Sequence, residues 1–185
     1  MNYILSIKCK DLLKEKNLVL ERAKLNDVDQ IINLYAERVE WFKKMNIDQW
    51  TKYLIHHSKD EFLREIQNDY FFVLKRNGSI VAAFELSTDS RLWNDDDTKA
   101  YYIYKIVTKI GSKNIGSIIM AVCKDIAKTN HQRYLRLDCI TKNKKLNSIY
   151  EHYGFKLIRI GSKDYYCYSL RELDLNEKDF KNISI

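Results

Sequence analysis

The sequence predicts a single α/β domain of the α+β kind, and three observations carry that expectation. Apolar runs with the two-residue period of strands are interleaved with segments whose apolar residues recur every three or four positions, the period of helices. A length of 185 residues with 45% hydrophobic and 31% charged residues suits one hydrophobic core, and no repeat or Gly/Ser/Pro linker divides it. Glycine is scarce, five in the chain, and proline is absent, so each glycine should answer a backbone need.

Residues 1–16 read as an N-terminal appendage, a short apolar run (Tyr3, Ile4, Leu5, Ile7) followed by a charged segment, ahead of one domain over 17–185. The segment NLVLERAK from Asn17 alternates as a strand. Asn26 then precedes Val28, Ile31, Ile32, Tyr35, Val39 and Phe42 at helical spacing. Ser58 and Glu61 form a capping box that opens a second helix, with Phe62, Leu63 and Ile66 as its inner face. Two β-rich runs, YFFVLKR and SIVAAFELS, flank Asn77-Gly78, a pair that tolerates positive φ at both positions and so predicts a hairpin. A polar, acidic loop leads to the aromatic strand AYYIYKIVT, and after Gly111 and Gly116 the run SIIMAVCKDIAK has helical composition. RYLRLDCI reads as a strand, NKKLNSIYEHY as a helix ending at Gly154, and FKLIRIG and DYYCYSL as a closing pair around Gly161-Ser162. The order is β-α-α-β-β-β-α-β-α-β-β.

Lys and Arg outnumber Asp and Glu, 32 to 25, for a net charge of +7. Interleaving with acids makes a solvated basic surface the plain reading, with anionic partners favoured only at long range. The four cysteines, Cys9, Cys123, Cys139 and Cys167, show no metal-binding or redox spacing and read as reduced thiols, so no metal is expected. No run approaches a membrane span or a signal peptide, which leads us to expect a cytoplasmic protein.

Two constellations bear on chemistry. In KIGSKNIGSIIM a glycine-containing turn opens a helix whose first N–H groups lack intrahelical partners. Such a terminus attracts phosphate, with Ser112, Lys113 and Ser117 as further donors, although an ordinary strand-to-helix turn has the same form. Downstream, Asn143 and Tyr150 lie seven residues apart, two turns along one helical face, and can reach one cleft.

These residues carry a resemblance. From about residue 17 to 170 the chain resembles the GNAT superfamily of acyl-CoA-dependent N-acyltransferases, whose fold is a mixed, mostly antiparallel seven-stranded sheet flanked by helices. Gly111-Ser112-Lys113-Asn114-Ile115-Gly116 is similar to the family's [R/Q]-x-x-G-x-[G/A] phosphate loop, departing from it at Gly111 and Asn114. LRLDC, Asn143, Leu146 and YEHYGF resemble the family's fifth strand, its asparagine and its Tyr-to-Gly-Phe ending. Asn46-Ile47-Asp48-Gln49-Trp50 resembles an Ile-x-Gln-Trp stretch of a bacterial branch.

The resemblance implies an acetyl-CoA-dependent acetyltransferase in which an amine attacks the thioester directly. It implies that strand 4 splays from strand 5, leaving backbone N–H groups at Ile106, Val107 and Thr108 to hold the pantetheine and polarise the carbonyl. Residues Gly111, Ser112, Lys113, Asn114, Ile115, Gly116 and Ser117 would hold the pyrophosphate and Asn143 the pantetheine arm, while Tyr150 would donate to the departing sulfur. Glu85, a carboxylate within an apolar strand, is the first candidate for the base that frees the amine, although strand alternation favours a surface position for it. Tyr104, Asp138 and the Asp95-Asp96-Asp97 loop are alternatives; His56, His57, His131 and His152 show no catalytic spacing. Trp41, Trp50, Tyr53, Tyr102 and Tyr104 are candidate acceptor-lining residues, each equally suited to a core.

The expected acceptor is a small-molecule or peptide amine, with no nucleic acid and no membrane as partner. Strand 7, with Tyr165, Tyr166 and Tyr168, offers a pairing edge for a homodimer. Two other readings stay open at this point: a non-catalytic acyl-CoA-binding or regulatory domain, and a basic nucleic-acid-binding domain using its tyrosines for stacking.

Overall fold

A computed structural model describes residues 3–50, 57–93, 98–163 and 166–176. Its sheet has seven strands: β1 (Val19–Arg22), β2 (Phe71–Arg76), β3 (Ser79–Ser87), β4 (Ala100–Thr108), β5 (Tyr134–Ile140), β6 (Lys156–Lys163) and β7 (Tyr166–Asp174). The helices are α1 (Ile7–Glu15), α2 (Val28–Lys44), α3 (Lys59–Gln67), α4 (Ile115–Thr129) and α5 (Lys144–His152). From β1 onward the order is the one expected from the sequence, and the spatial order is β1-β2-β3-β4-β5-β7-β6. Every neighbouring pair is antiparallel except β4 with β5, joined by α4 as the crossover a parallel pair requires.

The local signals act as expected. Asn77 and Gly78 take φ of +50° and +78°, both left-handed, which turns β2 into β3. Ser58 accepts from the Glu61 N–H while Glu61 reaches back to the Ser58 N–H, so α3 starts at Lys59. Residues 6–15 pack against α4. Ser6 caps α1 and bonds Asp125 of α4 at 2.6 Å, and Cys9 and Leu13 are buried with the α4 side chains.

Two apolar clusters cover opposite faces of the sheet. Ile118, Ile119, Val122, Cys123 and Ile126 of α4 pack on Phe72, Phe84, Tyr101, Ile103, Leu135 and Leu137. On the other face α2 and α3 set Ile31, Tyr35, Phe62 and Ile66 over Phe71, Val73 and Ala83. Each fully buried aliphatic or aromatic side chain removed from water contributes about 1.5–3 kcal/mol. Beyond α2 and α3 that second face is aromatic and polar, with Trp93, Tyr102, Tyr104, Tyr168 and Leu170 packed together.

One expectation about the surface is corrected. β7 is an inner strand, paired with β5 on one side and β6 on the other, so it presents no free edge, and Tyr165 lies outside the described residues. The strand is inside because all of β5 pairs with its residues 168–174, and it runs to Asp174, four residues past the expected end. The edge belongs to β6.

Candidate active site

The site is created by a bulge. β4 and β5 pair only from Ala100–Tyr134 to Ile103–Leu137 and then separate, while β3 and β4 lose register between Ala83 and Glu85. The extra residue is Lys105, at φ +54°. Tyr102 and Tyr104 face the aromatic side, Lys105 points the same way, and after it the parity inverts: Ile106 packs with the α4 cluster and Val107 with the α2 cluster. The left-handed lysine is held from outside its own strand. Its carbonyl accepts from the Tyr35 hydroxyl on α2, and its ammonium bonds Glu65 on α3 and lies 3.5 Å from Glu85.

Past the bulge the open edge of β4 carries free donors. Lys109 donates to Val81 at 2.8 Å, so by the two-residue period the Val107 N–H is used toward β3 and those of Ile106 and Thr108 face the opening. Of the three amides expected there, two are therefore presented. Arg38 of α2 reaches the Thr108 carbonyl at 2.6 Å and its hydroxyl at 3.0 Å, with its guanidinium 5.1 Å from the centre of the Trp41 ring.

The start of α4 lies at the end of the same strand. Gly111 has φ +81° and Asn114, the residue that caps α4, has φ +62° without a side-chain capping bond. Both departures from the phosphate-loop pattern thus occupy left-handed backbone, which glycine and asparagine reach at least cost. The first amides of α4, from Ile115, Gly116 and Ser117, point out of the helix end without intrahelical partners. Ser117 Oγ lies 3.0 Å from the Tyr153 hydroxyl, and a side chain at Gly116 would meet that hydroxyl at 3.9 Å, so Tyr153 walls this end.

On the far side of the opening, Asn143 caps α5 by accepting from the Leu146 N–H at 3.0 Å and donates to Gln49 at 2.6 Å. A cleft of about 230 Å³ lies here, lined by Asn46, Ile47, Asp48, Lys142, Asn143 and Lys144. The Ile47-Asp48-Gln49-Trp50 stretch is thereby tied to the start of α5, and Trp50 packs on Tyr35 and Phe42. Arg171, 3% exposed, bonds Asn147, Glu151 and the Phe155 carbonyl, which locks α5 against β7 and fixes Tyr150 in place.

Tyr150 and Asp138 approach the opening from opposite faces. Tyr150 packs in the α4 cluster with Cys139 and Phe155. Burial, with the charges of Cys139 and Asp138 added, holds its hydroxyl protonated well above the ordinary phenol range. Asp138 is the first β5 residue past the last β4 pair; by alternation it joins Tyr134 and Arg136 on the aromatic face, where it is partly exposed. The Tyr166 hydroxyl donates to it at 3.2 Å. Burial raises its carboxyl above the usual range, and the Tyr166 bond and the charge of Arg91 only partly oppose this.

Glu85 is not on the surface, as alternation in an exposed strand would have it, but fully buried. Its strand is covered on both faces, and the carboxylate is compensated by Arg91 and by Lys105. Burial raises its carboxyl, against the pull of both cations. Tyr102 and Tyr104 stack with centroids 6.2 Å apart on this face, while Trp41 lies near Arg38 and Trp50 near Tyr35, away from these rings. Tyr53, His56 and the Asp95-Asp96-Asp97 stretch lie outside the described residues. Arg38, Glu65, Arg91 and Lys105 were not anticipated. One signal was present: a lysine following Tyr102 and Tyr104 out of step in an alternating strand marks a bulge.

The comparisons with known proteins agree with this fold. A family model described as an acetyltransferase (GNAT) domain matches residues 20–176. The chain is 20% identical over 150 residues to the uncharacterized N-acetyltransferase YesJ of Bacillus subtilis, covering 77% of this chain and 83% of that protein. A GNAT-family acetyltransferase from Listeria monocytogenes has the same fold at a TM-score of 0.71 and 22% identity, over 85% of this chain and 94% of its own. YncA of Salmonella typhimurium, a putative acetyltransferase solved with its cofactor acetyl-CoA, aligns at a TM-score of 0.62 and 14% identity over 90% and 99% of the two chains. Among the described residues, no helix is long and apolar enough to cross a membrane.

Proposed function

The chain belongs to the GNAT acetyltransferase family and is an acyltransferase, and from that premise we propose that it moves an acetyl group from acetyl-CoA to a primary amine of a small molecule or peptide in a ternary complex. The observation that carries this reading is the opening between β4 and β5, with free amides on one strand, Tyr150 on one face and Asp138 on the other. Acetyl-CoA, when bound, supplies an activated thioester. The chain has the groups to hold it: the bare N-terminus of α4, reached through left-handed backbone at Gly111 and Asn114, suits a pyrophosphate.

The Ile106 and Thr108 amides hold the pantetheine arm and polarise the thioester carbonyl, and Asn143 adds a side-chain amide. Tyr150, whose proton is held more tightly than an ordinary phenol's, serves as a hydrogen-bond donor to the departing sulfur. An alkylammonium has a pKa of about 10.4 and must lose a proton before it attacks. Asp138 fits that task better than Glu85, because it is partly exposed at the opening while Glu85 is sealed by two cations. Asp138 takes the ammonium's first proton and passes it to solvent before the attack; the C–S bond then breaks as the C–N bond forms, the nitrogen's second proton passes to the freed Asp138 carboxylate, and the thiolate, whose conjugate thiol has a pKa of about 8.5, is protonated from solvent.

Calorimetry with acetyl-CoA tests the first half of the reading, and micromolar binding is expected. Tyr150→Phe tests the second: turnover followed by thiol release should fall roughly ten- to a thousand-fold with acetyl-CoA affinity nearly unchanged. Unchanged turnover removes Tyr150 from the chemistry, and absent binding removes the enzyme reading with it.

A further inference from the structure

A cation stands on the aromatic face near Asp138. Arg91, in the loop after β3, lays its guanidinium 4.2 Å from the centre of the Tyr104 ring. It bonds the Glu85 carboxylate and, through Nε, Asp89 at 3.2 Å. Glu85 is opposite Tyr104 on β3, and Asp138 is level with Tyr104 on β5, one residue past the Ile103–Leu137 pair. Glu85 stands directly across the strand pair from the ring, and the charges of Asp138 and Glu85 both reach its hydroxyl. Asp138 feels the charge of Arg91 directly. The other oxygen of Glu85 is buried without a hydrogen bond.

We propose that the space Arg91 fills, over the Tyr104 ring and between Glu85 and Asp138, is the seat of the acceptor's ammonium group, and that the acceptor is an amine with no carboxylate beside its nitrogen. This inference rests on the acyl-transfer reading above. With Arg91 turned away, two carboxylates, Glu85 and Asp138, face the seat. The Lys105 ammonium near them is shared with Glu65. Such a seat attracts a cation to an aromatic face and repels the carboxylate of an α-amino acid.

The arginine is suited to leaving. Arg91 has φ +41°, a costly backbone for a residue other than glycine, and its side chain is one-third exposed. Asp89, which steadies it, is 56% exposed. Arg91 is thus an internal competitor: a cationic amine displaces it, and the uncharged amide formed by transfer holds the seat less well than the returning guanidinium.

The test uses 2-phenylethylamine and phenylalanine, which share a ring and an amine and differ by a carboxylate. Wild-type protein with saturating acetyl-CoA should acetylate 2-phenylethylamine and leave phenylalanine untouched; equal use of both overturns the inference. Arg91→Gln should lower KM for 2-phenylethylamine at least about tenfold without a matching rise in kcat, since the competitor is gone. Asp89→Asn, which loosens Arg91 without stranding the buried Glu85, should shift KM in the same direction by a smaller factor. An unchanged or raised KM in both variants refutes the seat. Calorimetry of 2-phenylethylammonium alone should show tighter binding to Arg91→Gln than to wild type. That readout decides the seat even if no amine is acetylated, an outcome that would sink the acyl-transfer reading instead.

Discussion

Under α4, strands β4 and β5 turn Tyr101, Ile103, Leu135, Leu137 and Cys139 into an apolar cluster, while the residues between them turn Tyr102, Tyr104, Arg136 and Asp138 to the other face. The two faces come from the same residues read at odd and even positions, yet they obey different rules. The first is held by burial of apolar surface. The second holds ions: Arg136, 5% exposed, pairs with Glu172 at 2.7 Å, accepts no water-facing role, and lies 4.3 Å from the centre of the Trp93 ring. Buried charges of this kind contribute little net stability, because desolvation offsets their attraction. The apolar face supplies the stability that the polar face does not.

That contrast can be broken in order of size. Leu135→Ala on the apolar face, at a fully buried position, should cost about 2–5 kcal/mol of stability in urea unfolding, with activity per folded molecule retained. Activity lost at full stability would mean that the apolar face shapes the site directly. Gly161→Ala acts on the aromatic face. A side chain at Gly161 would meet the Tyr168 ring at 2.5 Å, so the ring must move, and a loss of about 1–3 kcal/mol is expected in thermal unfolding.

Asp138→Asn gives the smallest change and the sharpest sign. A carboxyl raised in the folded state binds its proton more tightly there than in the unfolded chain, so it lowers stability as pH rises from its ordinary 3.8 through the raised native value. The asparagine variant should therefore melt higher than wild type at pH 7, with the gap closing toward pH 4, while turnover falls. A variant that melts lower at pH 7 would show that the carboxylate is held for stability and not for proton transfer.

The element order was legible because each element has a local cause. The capping box at Ser58 and Glu61, the Asn77-Gly78 turn and the periodicity of residues 115–129 act over a few residues. The helix that carries Tyr150 behind its Asn143 cap was legible for the same reason. Asn114 takes left-handed backbone, and the reason is again local.

The bulge at Lys105 belongs to the tertiary structure. Its carbonyl is held by Tyr35, seventy residues away, and its ammonium by Glu65, forty away, and no window of sequence joins them. The end of β4–β5 pairing at Ile103–Leu137 lies next to that bulge, so where the two strands part is also set by contacts between distant residues. The amino-acid sequence by itself determined the helices, the strands and the turns, whose free energies are set by near neighbours. Only the folded sheet decided which strand lies at its edge and which carboxylate reaches the opening, because those choices rest on pairings between residues far apart in the chain.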